Sequence, residues 1–131
     1  MKEKNLILEK TFGFSIMIYK LYKELVIKEK EYIIAKQVLK SGTSIGANVN
    51  EAQAAMSKKD FIAKLEIASK EARETQYWID LLIAVQIVNK ENKVIKIIHN
   101  EIIAINKILS KIIITTKNKI QDSRFKIKNK S

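Results

Sequence analysis

Residues Gln37 to Ala52 read QVLKSGTSIGANVNEA. Two glycines, Gly42 and Gly46, and three hydroxyl residues, Ser41, Thr43 and Ser44, are the composition of a loop. The apolar neighbours say otherwise. Val38, Ile45, Val49 and Ala52 keep the three-and-four spacing of one helical face straight through the segment, with Gly42 on the same face. A helix that carries such residues inward must meet a partner at short range or satisfy its polar groups away from water. The segment therefore predicts a tightly packed, self-associating helical protein. It names no reaction.

The rest of the chain divides into helical stretches of matching period. The first runs from about Leu6 to Lys28, with Phe14, Ile18, Leu21 and Leu25 as its stripe and Met17 and Tyr22 beside it. Gly13 weakens its beginning. The second spans about Glu31 to Ala55. Ser57 to Asp60 then offers a serine N-cap with an acid three residues on, a capping box with Asp in place of Glu. The third, about Lys58 to Val88, places Phe61, Leu65, Ala68, Ala72, Thr75, Ile79 and Leu82 on one face, with Trp78, Leu81, Val85 and Val88 on the next. It predicts a rod about 45 Å long. The fourth, about Lys93 to Lys119, is isoleucine-rich (Val94, Ile97, Ile98, Ile102, Ile105, Leu109, Ile112, Ile113). Isoleucine has middling helix propensity, so burial must hold this segment helical.

Four such helices joined by short turns predict an all-α fold, an antiparallel up-down-up-down four-helix bundle. Residues 1–120 form the bundle domain and residues 121–131 a basic, flexible, frayed tail. The third and fourth helices carry more apolar residues than one stripe needs: Trp78, Leu81, Ile87, Ile95, Ile103 and Ile114. The surplus predicts a subunit interface; the competing reading puts these residues at the bundle margin.

The chain has no proline to interrupt a helix and no cysteine, so disulfides and thiolate metal sites are excluded and a reducing cytoplasm is expected. The first residues are charged, with no apolar run of signal-peptide length after them. The longest apolar stretch, Ile79 to Val88, contains Asp80 and Gln86 and falls short of the ~20 residues a membrane-spanning helix needs. A soluble protein is expected.

Net charge is +11 and unevenly placed. Residues 93–131 carry 10 basic and 2 acidic side chains, while residues 61–92 carry 4 and 5. This asymmetry points to an anionic partner, nucleic acid first and membrane surface second. Lys107, Lys111, Lys117, Lys119, Arg124, Lys126 and Lys128 are the candidate contacts. Only Arg73 and Arg124 are arginines, so contacts would be to phosphate rather than bases. Biased genome composition is the bland alternative for so many lysines.

Helices two and three, antiparallel around Met56 and Ser57, should place Ser44 near Ser69, Ser41 near Ala72, Lys40 near Arg73 and Glu74, and Gln37 near Gln76. Gly42 and Ala47 would let the third helix approach closely. Gln37, Lys40, Ser44, Asn48, Glu51, Lys70, Glu71 and Glu74 then read as a structural polar layer, with a Lys40–Glu74 ion pair and a Gln37–Gln76 amide pair. Glu71 and Glu74 share a helix face, as acid–base or metal-binding carboxylates do. No histidine accompanies them: His99, on the fourth helix, is the chain's only one, and the Glu-x-x-His spacing of di-iron bundles is absent. Gly42 to Gly46 lacks the Gly-x-x-x-x-Gly-Lys of a phosphate loop. Trp78 and Tyr77 could stack a base, but read first as packing residues. No enzyme, no cofactor and no small-molecule substrate are expected.

Two separated motifs carry a resemblance. Gln37-x-Leu39-Lys40-Ser41-x-Thr43-Ser44-Ile45-Gly46-Ala47-Asn48-Val49-x-Glu51-Ala52 is followed by Asp60-Phe61 and by Ile67-Ala68-x-Lys70-Glu71-Ala72-x-Glu74-Thr75-x-Tyr77-Trp78. Together they resemble the four-helix-bundle family of the 23S ribosomal RNA intervening-sequence protein and, more distantly, the accessory variability determinant of diversity-generating retroelements. The resemblance runs from about Phe12 to Leu109. It implies a ring-shaped homopentamer in a bacterial cytoplasm and brings no catalytic residues. The retroelement relative is a basic barrel that binds nucleic acid and a reverse transcriptase. Where the family often has arginine this chain has Lys40, which would leave a point contact in place of a bidentate one. The expected function is a non-enzymatic, oligomeric bundle binding RNA or DNA. The alternatives are a protein-assembly scaffold without nucleic-acid binding and, third, a basic segment on anionic membrane.

Overall fold

The computed structural model describes residues 2–130, with side chains described for 6–129. It contains four helices: α1 (Lys2–Ile27), α2 (Ile33–Ala52), α3 (Lys58–Ala84) and α4 (Lys93–Lys130). Among the described residues no strand forms. Each helix packs on its two neighbours around the bundle, with α4 closing back on α1. The pairings across α1 and α2, and across α3 and α4, run in opposite chain directions, as antiparallel neighbours do. Ile18 lies by Gly42 and Thr11 by Gly46; Asp80 meets His99, Gln76 meets Asn106 and Glu66 meets Lys117.

The turns explain where the helices stop. Glu31 is not the first residue of α2; its Oε2 accepts the Ile34 N–H at 2.7 Å and caps the helix from outside. Lys30 supplies the reversal with φ 55°. At the far end α2 stops at Ala52 rather than Ala55, and residues 53–57 make the connection. Ser57 caps α3 as expected, its hydroxyl accepting the Asp60 N–H at 3.0 Å. α3 ends at Ala84, four residues earlier than predicted, because Gln86 takes φ 63° and Ile87 N–H turns back to Leu82 O. Asn92 Oδ1 then accepts from Val94 and Ile95 N–H and opens α4.

The core is the predicted set of stripes. Phe14, Ile18, Leu21 and Leu25 of α1, Val38, Ile45 and Val49 of α2, Leu65, Ile79 and Leu82 of α3, and Ile98 to Leu109 at helical spacing on α4 are buried. Each large side chain contributes about 1.5–3 kcal/mol of transfer free energy. Val94 and Ile97, expected in that stripe, are exposed. The apolar surplus divides. Ile95 is buried, while Trp78, Leu81, Ile87 and Ile103 are half-buried at the bundle margin, and Ile114 remains open.

Two expectations about α2 are corrected. Gly42 faces α1, not α3, since a β-carbon there would meet Ile18; Gly46 also lies on α1, where a β-carbon would meet Thr11 O and Ser15 Oγ. Ala47 is exposed. Ser41 and Gly42 are sequence neighbours and so point about 100° apart on a helix, one to each flanking rod. Ser41 meets Thr75 rather than Ala72, with the two hydroxyls 2.9 Å apart. The loop-like composition survives as helix because its polar groups bond within α2. Ser41, Thr43 and Ser44 each donate to the carbonyl four residues back, and Asn48 does the same.

α4 also departs from its predicted end. The helix does not stop near Lys119 but continues to Lys130, about 57 Å in all. Its last buried side chain is Ile113, Ile120 still leans on the core, and residues 121–129 are exposed. Once the packed part has formed, further turns need no new nucleus, and lysine, arginine and glutamine are good helix formers.

Candidate nucleic-acid interface

All seven predicted contact residues stand exposed on α4: Lys107, Lys111, Lys117, Lys119, Arg124, Lys126 and Lys128. From first to last they cover about 32 Å of helix. The helix itself carries only Glu101 and Asp122 as acids. Glu101 lies within 2.8 Å of Lys10 Nζ on α1, which neutralises it at the far end from the basic run. Lys117 is partly engaged, its Nζ 3.1 Å from Glu66 Oε2. Lys107, Lys119, Arg124 and Lys126 take part in no ion pair among the described residues. Beyond Gln121 the helix stands clear of α1, α2 and α3, so cations on every side of it reach solvent.

The expected polar layer is not a closed layer. Gln37, Lys40, Glu51 and Lys70 are exposed, while Ser44, Asn48, Glu71 and Glu74 are half-buried. They line an open polar seam along α2 and α3. Lys40 does not form the expected ion pair with Glu74; Glu74 Oε1 instead accepts the Trp78 Nε1–H at 3.3 Å. Gln76 does not pair with Gln37 but accepts from Asn106 Nδ2 at 2.8 Å. Ser41 facing Thr75 rather than Ala72 puts the α2–α3 register three residues from the expected one at that point. Partial burial and the neighbouring Glu74 charge raise the Glu71 carboxyl above the usual range, and Lys70 and Lys40 pull it part of the way back.

His99 Nε2 lies 2.9 Å from Asp80 Oδ1 at the α3–α4 surface. Among the described residues no three His, Cys, Asp or Glu side chains are grouped to hold a metal ion. No helix of the described residues is long and apolar enough to cross a membrane.

One feature escaped the sequence reading. Leu8, Phe12, Ser15, Thr43, Gly46 and Ala47 line an open, mainly apolar groove of about 540 Å³ between α1 and α2. Phe12 is 68% exposed, and Ile16 and Tyr19 continue the strip along α1. The signal was present: Phe12, Ile16 and Tyr19 repeat at four and three residues, on the face opposite the one that buries Phe14 and Ile18.

The family profile described as the 23S rRNA-intervening sequence protein matches residues 3–111. A crystal structure of a protein of unknown function from the S23 ribosomal protein family of Bacteroides thetaiotaomicron is similar in fold, with a TM-score of 0.80 and 47% identity over 85% of this chain and 97% of that chain. No curated protein matches. The profile match stops at Lys111, so Lys117, Lys119, Arg124, Lys126 and Lys128 lie beyond it. With the matching motifs now on a four-helix bundle, the chain belongs to the 23S rRNA-intervening sequence protein family.

Proposed function

We propose that this protein is a non-enzymatic, self-associating bundle that binds nucleic acid, RNA in the first instance, through the cations of α4. The observation that carries the reading is the placement of seven exposed basic side chains along the length of α4 with a single nearby acid on that helix, Asp122. Such a run of cations holds a phosphate backbone without reading bases. A ring of five copies, as the family resemblance implies, would repeat the run around a common axis and multiply its effective affinity. The chain's lack of cysteine suits a cytoplasmic setting. No cofactor or small-molecule substrate enters the reading.

The test is crosslinking in the native host with and without nuclease. RNA should be recovered with the wild-type chain and lost when Lys107, Lys111, Lys119, Arg124 and Lys126 are replaced together by glutamine. A second reading, a protein-assembly scaffold, is favoured by the apolar α1–α2 groove. It would be preferred if a protein partner survives nuclease and the glutamine variant recovers the same material as wild type.

A further inference from the structure

We propose that Phe125 is a base-stacking residue and that the nucleic acid taken by the α4 extension is single-stranded. This rests on the nucleic-acid reading above and narrows it to one ligand class. Phe125 is 68% exposed on a stretch of helix where every described residue from Gln121 to Asn129 is exposed. Nothing in the bundle's packing requires a phenyl ring there, since α4 buries its last side chain at Ile113, three turns earlier.

Its surroundings carry three cations and one acid, Asp122, three residues before it. Arg124 and Lys126 flank it in sequence, and Lys128 is three residues on, which on a helix makes it an immediate neighbour of the ring. An aromatic face with cations on either side is the arrangement that binds unpaired strands: the ring stacks on a base and the cations hold the adjoining phosphates. Arg124 adds a planar guanidinium that pairs with phosphate through two N–H groups. Bases inside a duplex already stack on both faces and offer no free face to the phenyl ring. The same lysines would attract a duplex by charge alone, so Phe125 separates the two ligands. Phe125 also lies beyond the family profile match.

The experiment measures binding of a labelled oligouridylate and of an RNA duplex of equal length by fluorescence anisotropy, using wild type, Phe125→Ala, Phe125→Trp and Arg124→Gln. Phe125→Ala should weaken oligouridylate binding by about tenfold, leave duplex binding unchanged, and keep the same dependence on salt. Phe125→Trp should restore the loss. Arg124→Gln should weaken both ligands and flatten the salt dependence. The proposal is overturned if Phe125→Ala binds oligouridylate like wild type, if it loses both ligands equally, or if its chief effect is a smaller particle mass, which would make Phe125 a subunit contact. Wild type binding neither RNA would instead bring down the underlying nucleic-acid reading. Phe125 lies outside the core, so the variants keep the fold.

Discussion

Gly42 of α2 lies directly on Ile18 of α1, so close that a methyl group at Gly42 would stand 2.8 Å from Ile18 Cγ2 and 3.0 Å from Cγ1. Ile18 is fully buried and β-branched, so it has little freedom to turn aside. Two effects oppose each other in Gly42→Ala. Alanine improves helix propensity by about 1 kcal/mol, while overpacking costs about 1–3 kcal/mol. The steric cost should win, lowering the thermal midpoint by a few degrees. In an Ile18→Ala background, where both crowding carbons are gone, the same substitution should be neutral or stabilising. Thermal melts of the four proteins check this; equal effects of Gly42→Ala in both backgrounds would show that the seam is not tight.

Ser41 and Thr75 tie α2 to α3 through the buried contact of their hydroxyls at 2.9 Å. Each hydroxyl also lies against the carbonyl four residues before it, at 2.8 Å in both cases. Two protons serve three contacts, so the chain runs either from Thr75 through Ser41 to Gln37 O or from Ser41 through Thr75 to Glu71 O. Thr75→Val keeps the shape and removes one hydroxyl, leaving Ser41 its own carbonyl. A loss of about 1 kcal/mol is expected, with Ser41→Ala and Thr75→Val less than additive. Urea unfolding of the double-mutant cycle measures the coupling; strict additivity would mean that the cross-helix bond contributes nothing.

Glu71 carries a pH prediction. Its carboxyl is raised first by burial and then by Glu74. The native state therefore holds the Glu71 proton more tightly than the unfolded chain does. The stability this contributes is present below the ordinary carboxylate range and is lost as pH rises through the raised value. Solvent screening keeps the effect small. Glu71→Gln should hold or slightly raise the thermal midpoint at neutral pH and flatten the decline in stability from about pH 4 upward. A clear loss at neutral pH would show that the attraction of Lys40 and Lys70 outweighs the desolvation.

The α1–α2 groove bears on self-association. Phe12 is exposed and Phe14 carries the core on the opposite face, so Phe12→Asp should leave helix content and thermal midpoint unchanged. If this face is covered by another copy, the charge enters an apolar interface without a partner and the assembly falls apart. Light scattering should then report a smaller particle than wild type. An unchanged mass would move the interface elsewhere.

What the sequence made legible was periodicity. Val38, Ile45, Val49 and Ala52 mark α2 as continuous whatever lies between them, and Ser57 marks the start of α3. Partners across the bundle were less legible because they depend on turn length. Ser41 meets Thr75 where Ala72 is expected, and Glu74 accepts from Trp78 instead of pairing with Lys40. Ser41 and Gly42 cannot both face α3, because neighbours on a helix point about 100° apart: Ser41 meets Thr75 and Gly42 meets Ile18 of α1. The seven α4 cations were legible from composition alone. That the helix carrying them would outrun its bundle was not, because residues 121–129 have no apolar stripe to report a packed helix, and exposed helix rests on propensity and continuation from the packed part.

The dependence of RNA affinity on salt tests the central claim most directly. If phosphates are held by the lysines and arginine of α4, the logarithm of the binding constant should fall linearly with the logarithm of salt concentration, by about 0.7 for each phosphate neutralised on a single strand. The glutamine variant should show a shallower line. A binding constant that stays flat from low to high salt, or a variant whose line matches wild type, would contradict the account.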